Sequence, residues 1–395
     1  MKISEKGSQG RWILICAFAA VVSMIVAEMG AKTLIVWTLG IRTKDYSDYY
    51  RHDYPLNLLT WSFKYSPHPY FGYESAAIRQ FERDREHRSN EDYVIGVLGG
   101  SVAEIFGYYA QAHLKDFEPL RAALPEIGNK RLVIANLALG GGHQPQQFFV
   151  ASFFLKDIDL FINIEGLNEA MIFSAMPLYP LEFPSTVKSA YERKPDGRIY
   201  RWIASPLISI YQTLDWIPLR FRVLARSNVY FLLWKVGAQL LYAAIQSLQQ
   251  RYYNAQIAPG NPPEAHLSPD ELLERKAGMW GHYAALESDL IRRIGKKPSY
   301  IFLQPNQYLK GSKPFSEIEK QTAVDPAQFE YIDKPMRRFK EELKALQKAG
   351  VKAYDLTGIY EQTRKTVYAD PCCHVNDRGN EIIARTIVSA IVNDR

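Results

Sequence analysis

Apolar and polar positions divide the chain into an N-terminal apolar block, a polar segment and a long alternation of strand-like and helix-like stretches. Trp12 to Ala27 runs without a charge, and apolar character resumes after Glu28 and Lys32 from Thr33 to Leu39. A membrane span needs about 20 predominantly apolar residues, a length the block reaches if Glu28 and Lys32 extend their polar heads to the interface. Lys2, Lys6 and Arg11 precede it, and Ala27 and Met29 form no Ala-x-Ala cleavage site. The block therefore reads as a retained signal anchor, with a buried core helix as the alternative. Lys32, Arg42 and Lys44 on the far side weaken the positive-inside count. The expected orientation, with the C-terminal part outside the cytoplasm, rests on analogy with anchors that export a long domain.

Asp45 to Asn90 is polar, rich in Tyr and His, and without sustained period. The expected organisation is an anchor over 1–40, a juxtamembrane stalk over 41–90 and a globular domain over 91–395. In that domain the apolar run from Asp92 (DYVIGVLGGSVA) predicts a buried strand that breaks at Gly99-Gly100 onto Ser101. Lys130 to Leu139 predicts a second, ending in Gly140, Gly141 and Gly142, and Ile158 to Glu165 a third, ending on Gly166-Leu167-Asn168-Glu169. Pro298 to Gln304 and Val351 to Leu356 predict two more, with helices after Ser101, over Asp333–Ala349 and over Glu381–Asn393. Continuous apolar strands alternating with helices predict an α/β fold around a mostly parallel sheet.

A helical insertion, about 174–297, interrupts this alternation. Pro177, Pro180 and Pro184 are followed by an apolar and aromatic stretch from Trp202 to Tyr253. Asn228 to Leu248 is long enough to suggest a second span, but it contains Lys235, and crossing there would separate Ser101 from His374. The segment is expected to pack on the domain, or to lie on the bilayer with Arg220, Arg222, Arg226 and Arg251 at the head groups. Trp202, Tyr211, Trp216 and Trp234 are candidate walls of a substrate pocket.

Composition adds exclusions. With 395 residues and 47% hydrophobic content, the chain can bury a full core. The net charge of +6 comes without a dense Lys/Arg block, so no nucleic-acid partner is expected. His52, His68 and His87 show no metal-ligand spacing with one another or with a Cys and read as surface residues, so no zinc site is expected. Cys16 lies in the presumed span, while the neighbours Cys372 and Cys373 either pack as small hydrophobes or form a redox-sensitive clip.

The three strand ends carry, in turn, a serine, a glycine cluster and an asparagine, and in an open α/β sheet such ends border the ligand crevice. A serine attacking an acyl carbonyl builds charge on oxygen, which backbone N–H groups and a side-chain amide can stabilise. Ser101, Gly141 and Asn168 supply such an oxyanion hole, with Gly140 and Gly142 as competitors of Gly141. Near the C-terminus, YADPCCHVNDRGN places His374 shortly after Asp370, a base with a carboxylate to orient it.

These four blocks, in this order, resemble the SGNH hydrolases (the GDSL esterase/lipase superfamily), whose blocks carry Ser, Gly, Asn and His. Gly99-Gly100-Ser101 resembles the first block with Gly in place of Asp, NLALGGG from Asn136 the second, Gly166-Leu167-Asn168-Glu169 the third with Glu in place of Asp, and DPCCH at Asp370–His374 the last. The resemblance implies a three-layer α/β/α, flavodoxin-like fold and ester-directed acyl transfer with no metal or organic cofactor. Ser101 would be the nucleophile, His374 the base and Asp370 its orienter. The family's Asp stands three positions before its His, where this chain has Pro371; either a bulge at Cys372-Cys373 restores the contact or another acceptor holds His374. The expected function is a membrane-anchored serine esterase or O-acyltransferase acting on an acylated glycan, lipid or small molecule. The alternative is a catalytically weak glycan- or lipid-binding or assembly protein that keeps the fold. An α/β-hydrolase elbow fits Gly99–Ala103 less well, because its Asp and His sit on separate loops, and a dinucleotide site lacks the Gly-x-Gly-x-x-Gly spacing.

Overall fold

The N-terminal apolar block is one helix, α1 (Lys6–Leu39), in a computed structural model that describes residues 6–51, 65–170, 206–252 apart from 208, 211, 212 and 215, and 267–394. Its stretch Cys16–Leu39 is long and apolar enough to cross a membrane, and no other helix among the described residues is. The chain divides into two compact units, Met1–Leu59 with Ile199–Ala255 and Thr60–Arg198 with Gln256–Arg395.

In the first unit the insertion helix forms as Asn228–Tyr252. Phe231, Trp234 and Ala238 form one apolar cluster with Ile35, Tyr46, Tyr49 and Tyr50, so this helix packs along α1. Glu28 accepts the Asn228 N–H at 2.6 Å and bonds the Ser227 hydroxyl. A carboxylate there satisfies orphan N–H groups at the positive end of the helix dipole. Trp234 is thus a core residue of this unit. Trp216 is exposed, and Trp202 and Tyr211 lie outside the described residues. Arg220 and Arg222 are exposed, Arg226 pairs with Asp45 at 3.5 Å, and the Arg251 side chain is not among those described.

The second unit begins within the segment expected as a stalk. Residues 65–90 are folded: β1 (Ser66–His68) and β2 (Gly72–Glu74) form an antiparallel hairpin, followed by α2 (Ala76–Asp84). Ser75 caps α2 by accepting the Ile78 N–H at 3.2 Å. Phe71 and Tyr73 are buried. His68, read as a surface residue, is also buried; it stacks on Phe71 and faces Glu82 at 3.4 Å. His52 lies outside the described residues.

Five strands form one all-parallel sheet: β3 (Asp92–Gly99), β4 (Arg131–Asn136), β5 (Leu160–Glu165), β6 (Ser299–Leu303) and β7 (Ala353–Asp355), in the order β4-β3-β5-β6-β7. Every residue of β3 and β5 is buried. On β3, Tyr93, Ile95 and Val97 join a cluster with Val102 and Phe106, while Val94 and Leu98 join another with Ala135, Val150 and Phe154. Burial of both faces is why these strands read as unbroken apolar runs. The helices that follow are α3 (Ser101–Ala112), α4 (Gln146–Phe153), α5 (Pro269–Asp289), α6 (Gln328–Lys348) and α7 (Asp377–Asn393). The chain leaves β3 for β4 on one side and returns past it to β5 on the other. Loops after β3 and β5 therefore diverge, opening a crevice at the carboxyl edge.

Gly99 sits where that crevice begins. Its φ is +130°, and a Cβ there would stand 1.9 Å from the Ile164 carbonyl oxygen. Gly99→Ala is expected to lower the unfolding free energy by about 3 kcal/mol or more. Gly350→Ala, at φ +80° with open space around it, is expected to cost only about 1–2 kcal/mol. Denaturant titration of the two variants checks the contrast, and equal losses would contradict it.

Candidate active site

Ser101 is the first residue of α3, placed by the turn at Gly99-Gly100. Gly100 fills the position where a side chain has no room, since a Cβ would lie 2.1 Å from Asn168 Nδ2. This accounts physically for glycine immediately before the serine. Ser101 and His374 are half-buried, and His374 Nε2 lies 2.7 Å from Ser101 Oγ. On the other side of the ring, Nδ1 bonds Asp370 Oδ2. The chain thus joins residues from the first and last blocks in one hydrogen-bonded line.

The spacing of Asp370 and His374 is met by a tight turn. Tyr368 pairs with Val375, and the Ala369 N–H donates to the His374 carbonyl at 2.8 Å. Inside the turn, Asp370 Oδ1 accepts the N–H groups of Cys372, Cys373 and His374 at 2.8, 3.1 and 3.2 Å. The backbone wraps around this carboxylate and leaves Oδ2 for the imidazole. Burial works against the Asp370 charge, but His374 and the N–H donors outweigh it and hold the pKa below the usual carboxylate value. For His374, burial pulls the pKa down, yet the Asp370 charge and hydrogen bond prevail and push it up to about 9.

The loops that carry the expected oxyanion donors are tied to one another. Ser101 offers a first-turn N–H at the start of α3. Asn168 Nδ2 donates to the Gly142 carbonyl at 2.7 Å, which ties the β5 loop to the β4 loop and leaves its second N–H available. Among the glycines, Gly140 donates to Tyr65 Oη at 3.0 Å and Gly142 to the Leu139 carbonyl at 2.7 Å. Gly141, half-buried at φ +67°, has no hydrogen bond to its N–H among the described residues. It is the glycine of the three with a donor to spare.

Several bracing residues lie outside the sequence-level candidates. Tyr65 donates to Glu104 Oε2 at 2.5 Å, and Tyr73 donates to the Gly140 carbonyl at 2.9 Å, so two tyrosines of the hairpin segment hold the glycine loop. Glu169 accepts the N–H groups of Gln144 at 2.9 Å and Gly166 at 3.1 Å. Gln144 Nε2 donates to both Glu165 and Glu287 at 3.0 Å. Burial pushes the carboxyls of Glu165, Glu169 and Glu287 upward, and it pulls the Lys276 ammonium down to about 7. Gln304, Asn306 and Gln307 follow β6 and read from the sequence either as facing the site or as capping a turn; Gln307 donates to the Asp370 carbonyl at 2.9 Å, while Asn306 caps a turn at the Tyr308 N–H, 2.7 Å. Glu319, in a fully buried pair with Lys313, accepts the N–H groups of Val367 and Tyr368 at 2.9 and 3.0 Å. Glu104 and Glu169 had a local signal, being one turn after Ser101 and next to Asn168. The hairpin tyrosines had none.

Cys372 and Cys373 are both thiols, with Cys373 buried and Cys372 half-buried. Cys373 packs in the main apolar cluster. No family model and no curated protein sequence matches the chain.

Folding raises the His374 pKa from an ordinary 6.5 to about 9 and lowers that of Asp370. The His374 contribution to stability is complete below about pH 6.5 and is lost as pH rises through about 9, whereas that of Asp370 is lost in acid. The stability gap between wild type and Asp370→Asn is therefore expected to peak near pH 5–6.5, at up to about 3 kcal/mol, and to shrink by pH 10. A gap independent of pH would contradict the pairing.

Proposed function

We propose that the chain is a membrane-anchored serine esterase or O-acyltransferase of the SGNH type. The observation that carries this reading is the line from Asp370 through His374 to Ser101, with the Asn168 amide tied to the glycine loop at Gly142. The strand order supports it as well. Counted from β3, the order is that of flavodoxin-like, doubly wound sheets, in keeping with a three-layer α/β/α domain.

In the proposed reaction Ser101 Oγ attacks the acyl carbonyl as neutral His374 Nε2 takes its proton. Asp370 holds Nδ1–H and stabilises the imidazolium that forms. The negative oxygen faces the Ser101 and Gly141 N–H groups and the Asn168 amide. Water or an acceptor hydroxyl then takes the acyl group while His374 returns the proton. The substrate class is an acyl ester, such as an O-acetyl group on a glycan, and α1 would hold the domain at the extracytoplasmic face of a membrane. A second reading, a binding or assembly protein with little turnover, draws support from one observation: a His374 pKa of about 9 keeps the ring protonated at neutral pH, where it cannot take the serine proton.

Hydrolysis of a chromogenic acetyl ester is expected to gain kcat/KM with rising pH to a plateau above about 9. Asp370→Asn should move the midpoint toward 6.5 and lower the plateau about 1000- to 10,000-fold. Ser101→Ala should abolish turnover, and wild-type turnover in that variant would overturn the proposal. For orientation, alkaline phosphatase fused after Asn90 should be active in cells, and an inactive fusion would put the domain in the cytoplasm.

A further inference from the structure

We propose that Cys372, Cys373 and His374 form a binding site for a thiophilic divalent cation of the zinc type, and that filling it silences Ser101. The silencing rests on the hydrolase reading above; the site itself does not.

The two sulfurs lie 3.7 Å apart. Tetrahedral zinc with Zn–S bonds of about 2.3 Å separates its sulfurs by about 3.8 Å, so the thiols already stand at the required spacing. One imidazole nitrogen of His374 and both sulfurs all lie within 4.8 Å of one another. The backbone carrying these three side chains is gathered onto Asp370 Oδ1 through three consecutive N–H groups, which fixes their mutual position before any ion arrives. Cys372 and His374 are partly exposed, giving an ion a way in.

Two thiolates and an imidazole favour Zn2+ over Mg2+ or Ca2+. On binding, two S–H groups and the protonated imidazole release their protons to solvent as two S–metal bonds and one N–metal bond form, and no electrons are transferred. The imidazole must also free a lone pair. A metal-bound histidine ordinarily gives its other N–H to a carboxylate, and Asp370 already occupies Nδ1. Coordination through Nε2 then breaks the 2.7 Å contact to Ser101 Oγ, while coordination through Nδ1 would break the Asp370 contact. Either way no free lone pair faces Ser101: Nε2 is bound to the metal, or it carries the ring proton when the metal takes Nδ1. The other such cluster among the described residues, His68, Glu74 and Glu82, has the Arg79 guanidinium 3.6 Å from Glu74, a positive charge that disfavours a second cation there.

The test uses the reduced full-length protein in detergent with Co2+ as a spectroscopic probe. Wild type and Cys16→Ser should show a thiolate-to-cobalt charge-transfer band that added Zn2+ removes. The band should be lost in the Cys372→Ser/Cys373→Ser double variant and weakened in the half-exposed Cys372→Ser alone. No band in wild type, or an undiminished band in these variants, overturns the site. In parallel, the ratio of ester hydrolysis with and without Zn2+ should fall well below one in wild type, recover with EDTA, and stay near one in the double variant. Equal inhibition of wild type and variant would overturn the silencing. If no preparation hydrolyses the ester, the hydrolase reading fails on its own and the cobalt spectrum still decides the site.

Discussion

The close approach of β3 to its neighbours at Gly99 and Gly100 is the constraint on which the candidate site depends. Gly99 takes the Leu139 N–H on its carbonyl at 3.0 Å and has the Ile164 carbonyl where a side chain would begin. One residue on, Gly100 lies beneath the Asn168 amide. Three strand ends are thereby held within hydrogen-bonding distance, and α3 starts with Ser101 facing the gap between diverging loops. Bulk at either glycine would push the β4 and β5 loops away from the serine. The site is a consequence of backbone packing before any side-chain chemistry enters.

Around this junction, buried polar groups do the positioning. Asp370 serves as the centre of its own turn and as the partner of His374, so a single carboxylate sets both the loop's shape and the ring's charge preference. Glu319 and Gln307 hold that loop from outside. Glu169, Gln144, Glu165 and Glu287 join the β4 and β5 loops to α5. Such groups are costly to bury, and that cost is offset only while their hydrogen bonds are complete. The network resists small displacements of the loops, the property an oxyanion hole requires.

Much of this was legible in the sequence, for identifiable reasons. Strands β3, β4 and β5 stood out because burial on both faces leaves continuous apolar runs, and their glycine-rich ends marked the loops. Ser101, Asn168, Asp370 and His374 could be nominated from residue type and order, and the structure brings all four together. Residue type nominates Gly141 but leaves Gly140 and Gly142 as competitors, because only hydrogen bonds show that the N–H groups of those two are engaged. The hairpin at 66–74 was invisible, since strands of three residues carry no readable alternation, and its tyrosines act through contacts distant in sequence. The helix at 228–252 was visible as a helix, but an apolar face does not say which surface will cover it. Glu28, which reads as an interruption of the span, is spent on the first turn of that helix.

Chemical reactivity of Ser101 tests the central claim most directly. Treatment of the full-length protein with a fluorophosphonate, followed by peptide mass spectrometry, should find one adduct, on Ser101. Labelling should speed up as pH rises toward about 9, where His374 becomes able to take the serine proton. An unlabelled Ser101 in folded protein, or equal labelling of His374→Ala, would contradict the account.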